Sequence, residues 1–423
     1  MHRVKCRDRV ILLLKKPPAS SCPLLRIIKP RAAATARCQP PQATSHKPWP
    51  PPRCASGRAL PGCSSSELGW TWAVIPSSSP VGLSARRYDS IFSFGDSFSD
   101  TGNNPVVFAA SSVFDPVTRP PYGSTYFGRP TGRKSDGRLI IDFIAQRLGL
   151  PLVPPSLAHN GSFRRGANFA VGSATALDAA FFHGGKFPLN VSLGVQLQWF
   201  ESLKPSLCRT TKECKAFFGR SLFFVGEFGV NDYDFCFLTK SVQEIMPLVP
   251  DVIRTISTAI ERLIKHGATN FVVPGTIPSG CAPPVLALFP DAAPAEYNST
   301  TGCLEDINKL GMHHNLLLQD ALDKLRGRHP EAMIVYADLF GPIMDMVESP
   351  GKYGFEEDVL TICCGGPGTL FCGDEGANLC EKPAARLFWD GVHLTEAAYR
   401  YIADVWLDSI DSPARESRYQ LVR

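Results

Sequence analysis

Long apolar runs are missing from the 423-residue sequence, in which no stretch of 18 consecutive apolar residues occurs. The sequence therefore predicts no transmembrane helix. Acidic residues are scarce at the start, because the first 88 residues contain fifteen Lys or Arg but only Asp8 and Glu67 as acids. Residues 89–423 hold 29 basic and 37 acidic residues, so the overall charge of +5 averages a basic segment with a mildly acidic one. That balance gives no support for nucleic-acid binding by residues 89–423.

The first 87 residues also lack a sustained apolar period and are rich in Pro, Ser, Ala and Arg. Such a segment cannot bury enough surface to fold, and we expect a disordered basic leader. Its apolar patch, Val10 to Leu14, is shorter than the hydrophobic region of a secretory signal. The composition is typical of an organelle transit peptide. A misassigned start site would look the same, and a basic tail for nucleic acid or membrane is a third interpretation.

No linker or repeat divides the chain from Tyr88 onward, so we expect one large domain over residues 88–411 and a polar tail over 412–423. Buried strands are predicted at Ser90 to Gly95, Leu222 to Val225, Asn270 to Val273 and Met333 to Tyr336. Helices are predicted around Ile253 to Ile264 with a stop at Gly267, from Leu304 to Leu325, and after Thr395. Strands that alternate with helices predict an α/β fold with a parallel sheet covered on both faces.

Nine of the fourteen cysteines lie in the domain. Cys208 and Cys214 are close in sequence, and the last four cluster at 363, 364, 372 and 380, which favours local disulfides in an oxidising compartment. No C-x-x-C pair occurs in this cluster, which argues against structural zinc. Nine is odd, so at least one thiol stays free or pairs elsewhere, and Cys236 is the candidate because it has no close neighbour.

Three N-x-S/T sequons, at Asn160, Asn190 and Asn298, predict glycosylation. Together with the cysteines they favour a secreted glycoprotein. A plastid protein delivered by the basic leader is the alternative, and it would carry no such glycans.

Ser97 follows a short apolar run and a turn in YDSIFSFGDSFSD, and Asp390 precedes His393 by three residues in FWDGVHLT. A serine hydroxyl needs an imidazole to take its proton and a carboxylate to orient that imidazole. The G-x-S-x-G turn that carries the nucleophile of α/β-hydrolases is not matched, because Ser99 stands at the position of its second glycine. Each motif alone is more often a turn or a helix cap. Backbone N–H groups at Ser97 and Gly172, with the Asn231 side chain, would supply three donors for an oxyanion.

The ordered blocks GDSFSDTGNN, NFAVGSA, GVND and DGVH are similar to those of the plant-type GDSL esterase/lipase family within the SGNH hydrolases. The segment PYGSTYFGRPTGRKSDGRLIIDFIA resembles a subgroup of the sinapine-esterase type. The resemblance implies a three-layer α/β/α, flavodoxin-like fold. It also implies Ser97 as nucleophile, His393 as base, Asp390 as its orienting acid, and Ser97, Gly172 and Asn231 as oxyanion donors. Ser173 departs from the subgroup, in which a second glycine is expected after Gly172.

These features predict a serine carboxylesterase that works through an acyl-enzyme without metal or other cofactor, on a small-molecule or lipid ester. An acyltransferase with the same triad is the first alternative, and a secreted binding glycoprotein with an inactive site is the second. The phenylalanine pairs Phe181–Phe182 and Phe223–Phe224 are predicted as core rather than acyl pocket. Five other histidines of the domain are predicted to be surface or cap residues, namely His183, His266, His313, His314 and His329.

Overall fold

The computed structural model describes residues 87–183, 189–237, 239–289, 293, 296–366, 372 and 377–411. The predicted leader, except Arg87, and the predicted tail lie outside the described residues. Five strands form a parallel sheet in the order β2-β1-β3-β4-β5. They are β1 (Ser90–Phe94), β2 (Gly166–Asn168), β3 (Ser221–Val225), β4 (Asn270–Pro274) and β5 (Met333–Ala337). Four of them are the strands predicted from the sequence, and the order is that of flavodoxin-like folds, as predicted.

The strands form because short, apolar segments place alternate side chains on opposite faces of the sheet. Phe92 and Phe94 of β1 belong to one apolar core, whereas Ile91 belongs to the other. Phe223 and Phe224 of β3 divide between the two cores in the same way, and both are buried. These two phenylalanines are therefore core residues, as predicted.

Helices cover both faces. The helices are α1 (Asn104–Ala110), α2 (Ile140–Arg147), α3 (Ala179–His183), α4 (Leu193–Leu203), α5 (Thr211–Phe218), α6 (Val230–Asp234), α7 (Val242–Ile245), α8 (Val249–His266), α9 (Pro283–Leu288), α10 (Glu305–Arg328), α11 (Phe340–Glu348), α12 (Pro350–Tyr353) and α13 (Glu396–Asp411). Helices α4, α5, α8 and α10 contribute to the first core, and α2, α11 and α13 to the second. The predicted three-layer α/β/α architecture is confirmed.

The predicted helices correspond to α8, α10 and α13. Gly267 ends α8 in the left-handed conformation, with φ of 105°, as a C-terminal glycine does. Strand β2 was missed because its sequence, Gly-Ala-Asn, has no apolar run. A small antiparallel pair, β6 (Cys364–Gly365) and β7 (Asn378–Leu379), was missed for the same reason. No helix in the described ranges is long and apolar enough to cross a membrane.

Four disulfides join described cysteines: Cys208–Cys214, Cys281–Cys303, Cys363–Cys380 and Cys364–Cys372. The predicted local bridges, at 208–214 and within the cluster of four, are confirmed. Cys236 is also disulfide-bonded, and its partner is none of these eight. Of the two outcomes allowed for the odd cysteine, the free thiol is wrong and pairing elsewhere is right.

Candidate active site

The loop after β1 carries Ser97 at the carboxyl end of a central strand, where parallel sheets of this kind bind ligands. Gly95 permits the close passage of this loop, since a Cβ there would lie 2.5 Å from the Gly226 carbonyl oxygen. The buried side chain of Gln196 binds both backbone groups of Gly95: it accepts from Gly95 N at 3.0 Å and donates to Gly95 O at 2.8 Å. Ser97 is thus held on a rigid turn and is 6% exposed.

Asp390 and His393 form the predicted pair on the loop before α13. His393 Nδ1 lies 2.7 Å from Asp390 Oδ1, which also accepts from the backbone N–H groups of His393 (2.9 Å) and Val392 (3.1 Å). The other carboxylate oxygen, Oδ2, accepts from the Tyr122 hydroxyl at 2.7 Å. Burial acts to raise the pKa of Asp390, but the charge and hydrogen bonds of His393 and the Tyr122 hydroxyl outweigh it and lower the pKa below its usual value.

The serine loop and the histidine loop meet at Phe98. Its ring centroid lies 5.6 Å from that of His393 and 6.2 Å from that of Tyr399 on α13. Among the described contacts, the Ser97 hydroxyl makes no hydrogen bond to the His393 ring. Catalytic hydrogen bonds are often long before substrate binds and tighten in the substrate complex. Phe98, the residue after Ser97, thus places the serine loop against the ring of His393, which Asp390 holds.

Asn231 lies beside the nucleophile. It sits in the first turn of α6, and its side-chain amide donates to Asp96 Oδ2 at 2.8 Å and to the Ala174 carbonyl at 3.0 Å. Asp96 is the residue before Ser97, so this hydrogen bond joins α6 to the serine loop. Both amide hydrogens of Asn231 therefore have acceptors within the protein in this arrangement.

Gly172 also reaches the serine loop, but its N–H donates to Asp100 Oδ2 at 3.2 Å. A Cβ at Gly172 would lie 2.7 Å from Asn104 Oδ1 and 2.9 Å from Lys134 Cε, so a larger residue would require these two side chains to shift. Ser173, the residue noted as a departure, has φ of 68° in the left-handed region that favours glycine. The Ser173 N–H makes no hydrogen bond among the described residues.

Buried carboxyl groups connect the motif loops, and sequence reasoning missed them. Asp100 accepts from the backbone N–H groups of Gly102, Asn103, Asn104 and Gly172. Asp232 on α6 accepts from Ala176 N and Leu177 N, at 2.9 and 3.0 Å. Burial raises the pKa of Asp100 to about 6 and that of Asp232 to about 7. A signal was available, since two acids flank Ser97 within its block and two follow Asn231.

The prediction of surface or cap positions is wrong for His314. This residue is fully buried on α10, and its Nδ1 lies 2.7 Å from the Tyr233 hydroxyl. Burial lowers the pKa of His314 to about 3, so the ring is neutral. His329 caps the end of α10, as predicted, and His266 is the half-buried last residue of α8. The side chain of His183 lies outside the described part of the chain.

No group of three or more His, Cys, Asp or Glu side chains in the described ranges is placed so that it could hold a metal ion.

A parallel α/β sheet whose central strand ends in a buried serine, next to an aspartate–histidine pair, is the arrangement typical of a serine hydrolase. The family model described as GDSL-like Lipase/Acylhydrolase matches residues 91–406. The chain belongs to this family, whose members are hydrolases that act on ester bonds. The resemblance predicted from the sequence blocks is confirmed.

Two relatives show how far the similarity extends. A GDSL esterase/lipase of Arabidopsis thaliana is 46% identical over 335 residues, which cover 75% of this chain and 89% of the relative. The sinapine esterase of Brassica napus is 44% identical over 344 residues, 78% of this chain and 87% of that enzyme. Among solved structures, an α/β hydrolase from the metagenome of Lake Arreo, Spain, matches with a TM-score of 0.34 and 11% identity, covering 77% of this chain and 98% of its own.

Proposed function

We propose that this protein is a serine carboxylesterase in which Ser97 is the nucleophile, His393 the general base and Asp390 the orienting carboxylate. The observation that carries the proposal is the 2.7 Å contact between His393 Nδ1 and Asp390 Oδ1. An ionised carboxylate can only accept, so Nδ1 carries the hydrogen and Nε2 is left as a base for the serine hydroxyl. The lowered pKa of Asp390 supports its being ionised.

In the first step the Ser97 oxygen attacks the ester carbonyl carbon while its proton passes to His393 Nε2. The tetrahedral intermediate collapses, the alcohol leaves with that proton, and an acyl-serine remains. A water molecule then attacks the acyl-serine, giving its proton to His393. The second intermediate releases the acid, and the proton returns to Ser97. Atoms and protons balance, and no metal or other cofactor is required.

The oxyanion of each intermediate needs fixed donors. We assign the Ser97 N–H and the Asn231 amide, whose neighbour Asp96 is adjacent to the nucleophile. The sequence predicts Gly172 as the third donor. The Gly172 N–H would have to leave Asp100 to serve, just as the Asn231 amide would have to leave Asp96 or Ala174. The Ser173 N–H has no acceptor among the described residues that it would have to give up. We therefore propose the Ser173 N–H as third donor.

The substrate is proposed to be a small-molecule or lipid ester, since a relative of the same family is named a sinapine esterase. We also propose that the protein is secreted. Four disulfides support an oxidising compartment. The sequons at Asn160 and Asn190 lie at exposed positions, which supports glycosylation of the folded protein.

Hydrolysis of a short p-nitrophenyl ester tests the proposal. Ser97→Ala and His393→Ala should each lower kcat by about 10⁴ or more, and combining them should add little, because the residues act as a unit. Ser99→Ala is the matched control from the same turn, since its hydroxyl bonds the Gly226 carbonyl at 3.2 Å. Folded Ser97→Ala protein that keeps wild-type turnover would remove the triad assignment.

The same assay separates the alternatives. An acyltransferase would pass the acyl group to an added alcohol in preference to water, and product analysis would reveal the new ester. A binding glycoprotein with an inactive site would neither hydrolyse any member of an ester panel nor react with a serine-directed phosphonylating reagent. We expect free acid as product and complete inactivation by that reagent.

A further inference from the structure

A second carboxyl group, from Glu227, lies behind the candidate oxyanion donor. Glu227 lies two residues after the end of β3 and three residues before α6 begins, and both it and Asp96 are 1% exposed. The side chains of Glu227 and Asp96 are within hydrogen-bonding reach of each other. Asp96 uses its two oxygens to accept from Phe98 N at 2.9 Å and from the Asn231 amide at 2.8 Å. The three polar groups thus form a chain from Glu227 through Asp96 to Asn231.

Glu227 is not satisfied as a carboxylate. One oxygen, Oε1, accepts from Val230 N at 3.1 Å, while Oε2 has no donor of good geometry among the described residues. The Thr276 hydroxyl approaches the same carboxyl. A buried acidic oxygen without a donor is costly when charged, whereas a protonated oxygen becomes a donor itself. Asp96 is a neighbouring carboxyl group that can accept such a hydrogen bond from Glu227.

Two touching carboxyl groups in a protein interior cannot both ionise. Burial and the neighbouring Asp96 charge raise the pKa of Glu227 well above its usual value, and burial raises that of Asp96 to about 7. Three further groups act on the pair: Lys134 favours ionised Asp96, Asp232 disfavours ionised Glu227, and the Asp234 carboxyl repels ionised Asp96. The retained proton therefore belongs on Glu227.

We propose that neutral Glu227 is a positioning residue for the oxyanion site, because its O–H donates to Asp96 and so fixes the carboxylate that holds the Asn231 amide. One proton kept on the pair also halves the negative charge beside the developing oxyanion. Glu227 does not touch the reacting atoms and acts through Asn231. The inference rests on the proposed role of Asn231 in ester hydrolysis.

Steady-state kinetics on a p-nitrophenyl ester test the inference with two replacements of Glu227. Glu227→Gln keeps a side-chain N–H in place of the O–H, and its kcat should stay within about threefold of wild type. Glu227→Met keeps the volume but has no donor, and its kcat should fall by about 10 to 10², with KM unchanged, because only the transition state uses the oxyanion donor. Asp338→Asn is the matched control: a half-buried acid that follows the edge strand β5 and accepts from Phe340 N and Gly341 N, with kcat expected unchanged.

A double-mutant cycle with Asn231→Ala shows whether the effect passes through the amide. Asn231→Ala alone should lower kcat by about 10² to 10³. Adding Glu227→Met to that variant should cost nothing more. Additive losses, a wild-type kcat for Glu227→Met, or an equal loss in Glu227→Gln would each overturn the inference. A wild-type kcat for Asn231→Ala would instead overturn the oxyanion assignment on which it rests. Circular dichroism establishes that each variant is folded.

Discussion

The Tyr122 hydroxyl gives the sharpest test of the site, since its removal changes one hydrogen bond to the triad acid. It is the one described donor to Asp390 Oδ2, whereas Oδ1 receives three hydrogen bonds. Tyr122 is buried, and its ring packs edge-on against Trp389 at 6.0 Å between centroids. Tyr122→Phe therefore keeps the packing and leaves a charged, buried oxygen without a donor.

The expected size follows from that geometry. A hydrogen bond to a charged group contributes about 1.5–3 kcal/mol, so the free energy of unfolding at pH 7 should fall by about that amount. Part of the loss reaches catalysis, because a less firmly held Asp390 orients and stabilises protonated His393 less well. A share of about 1.4 kcal/mol corresponds to a tenfold fall in kcat/KM.

The pH dependence has a definite sign. The pKa of Asp390 in the folded protein lies below its usual value, so ionised Asp390 stabilises the folded state at any pH above the pKa of the unfolded chain. This stabilisation is lost as the pH falls through the pKa of Asp390 in the folded protein. Removing the Tyr122 donor raises that folded pKa. The stability difference between wild type and Tyr122→Phe should thus be largest near neutral pH and shrink toward about pH 3.

Ester hydrolysis followed from about pH 4 to 8, and thermal unfolding followed from about pH 2.5 to 8, provide the measurements. Tyr126→Phe is the matched control, since its hydroxyl accepts from the Gln146 side chain and the residue is 44% exposed. It should behave as wild type in both assays. If Tyr122→Phe also keeps wild-type kcat/KM and melting temperature, the hydroxyl does not support Asp390 and the reasoning is refuted.

Three further outcomes are expected. Ser173→Gly should raise the melting temperature, because a non-glycine residue at φ of 68° costs about 1 kcal/mol or more. It should leave kcat unchanged, because the proposed oxyanion donor is the backbone N–H of this residue. A lower melting temperature would contradict this. Burial raises the pKa of Asp234 to about 8, so its contribution to stability is lost between about pH 4 and 8. As pH rises through that range, the melting temperature of Asp234→Asn should therefore increase relative to that of wild type. A difference in melting temperature that stays constant with pH would argue against this. Intact mass after enzymatic deglycosylation should show glycans at exposed Asn160 and Asn190 more fully than at Asn298. Asn298 is half-buried, and its side-chain oxygen accepts from two backbone N–H groups. Equal occupancy of the three sites would show that burial in the folded state is irrelevant to glycosylation.

Much of the fold could be predicted from local patterns. Buried strands such as β1 and β3 are short apolar runs, and α8 shows isoleucines at three- and four-residue spacing before Gly267. The Asp390–His393 contact was also predictable, because three residues on one loop hold the two side chains together. Strand β2 was not, since its pairing with β1 comes from the sheet and not from its own three residues.

Only the tertiary structure decided which distant groups support the site. Tyr122 reaches Asp390 across 268 residues, and Asn231 reaches Asp96 across 135. These contacts exist because parallel strands in the order β2-β1-β3-β4-β5 bring their carboxyl ends to one edge. Motif spacing along the chain carries no information about that edge. The hydrogen bond from the Gly172 N–H to Asp100, and the proton that we propose on Glu227 beside Asp96, likewise depend on burial and distance, which arise only when the sheet has formed.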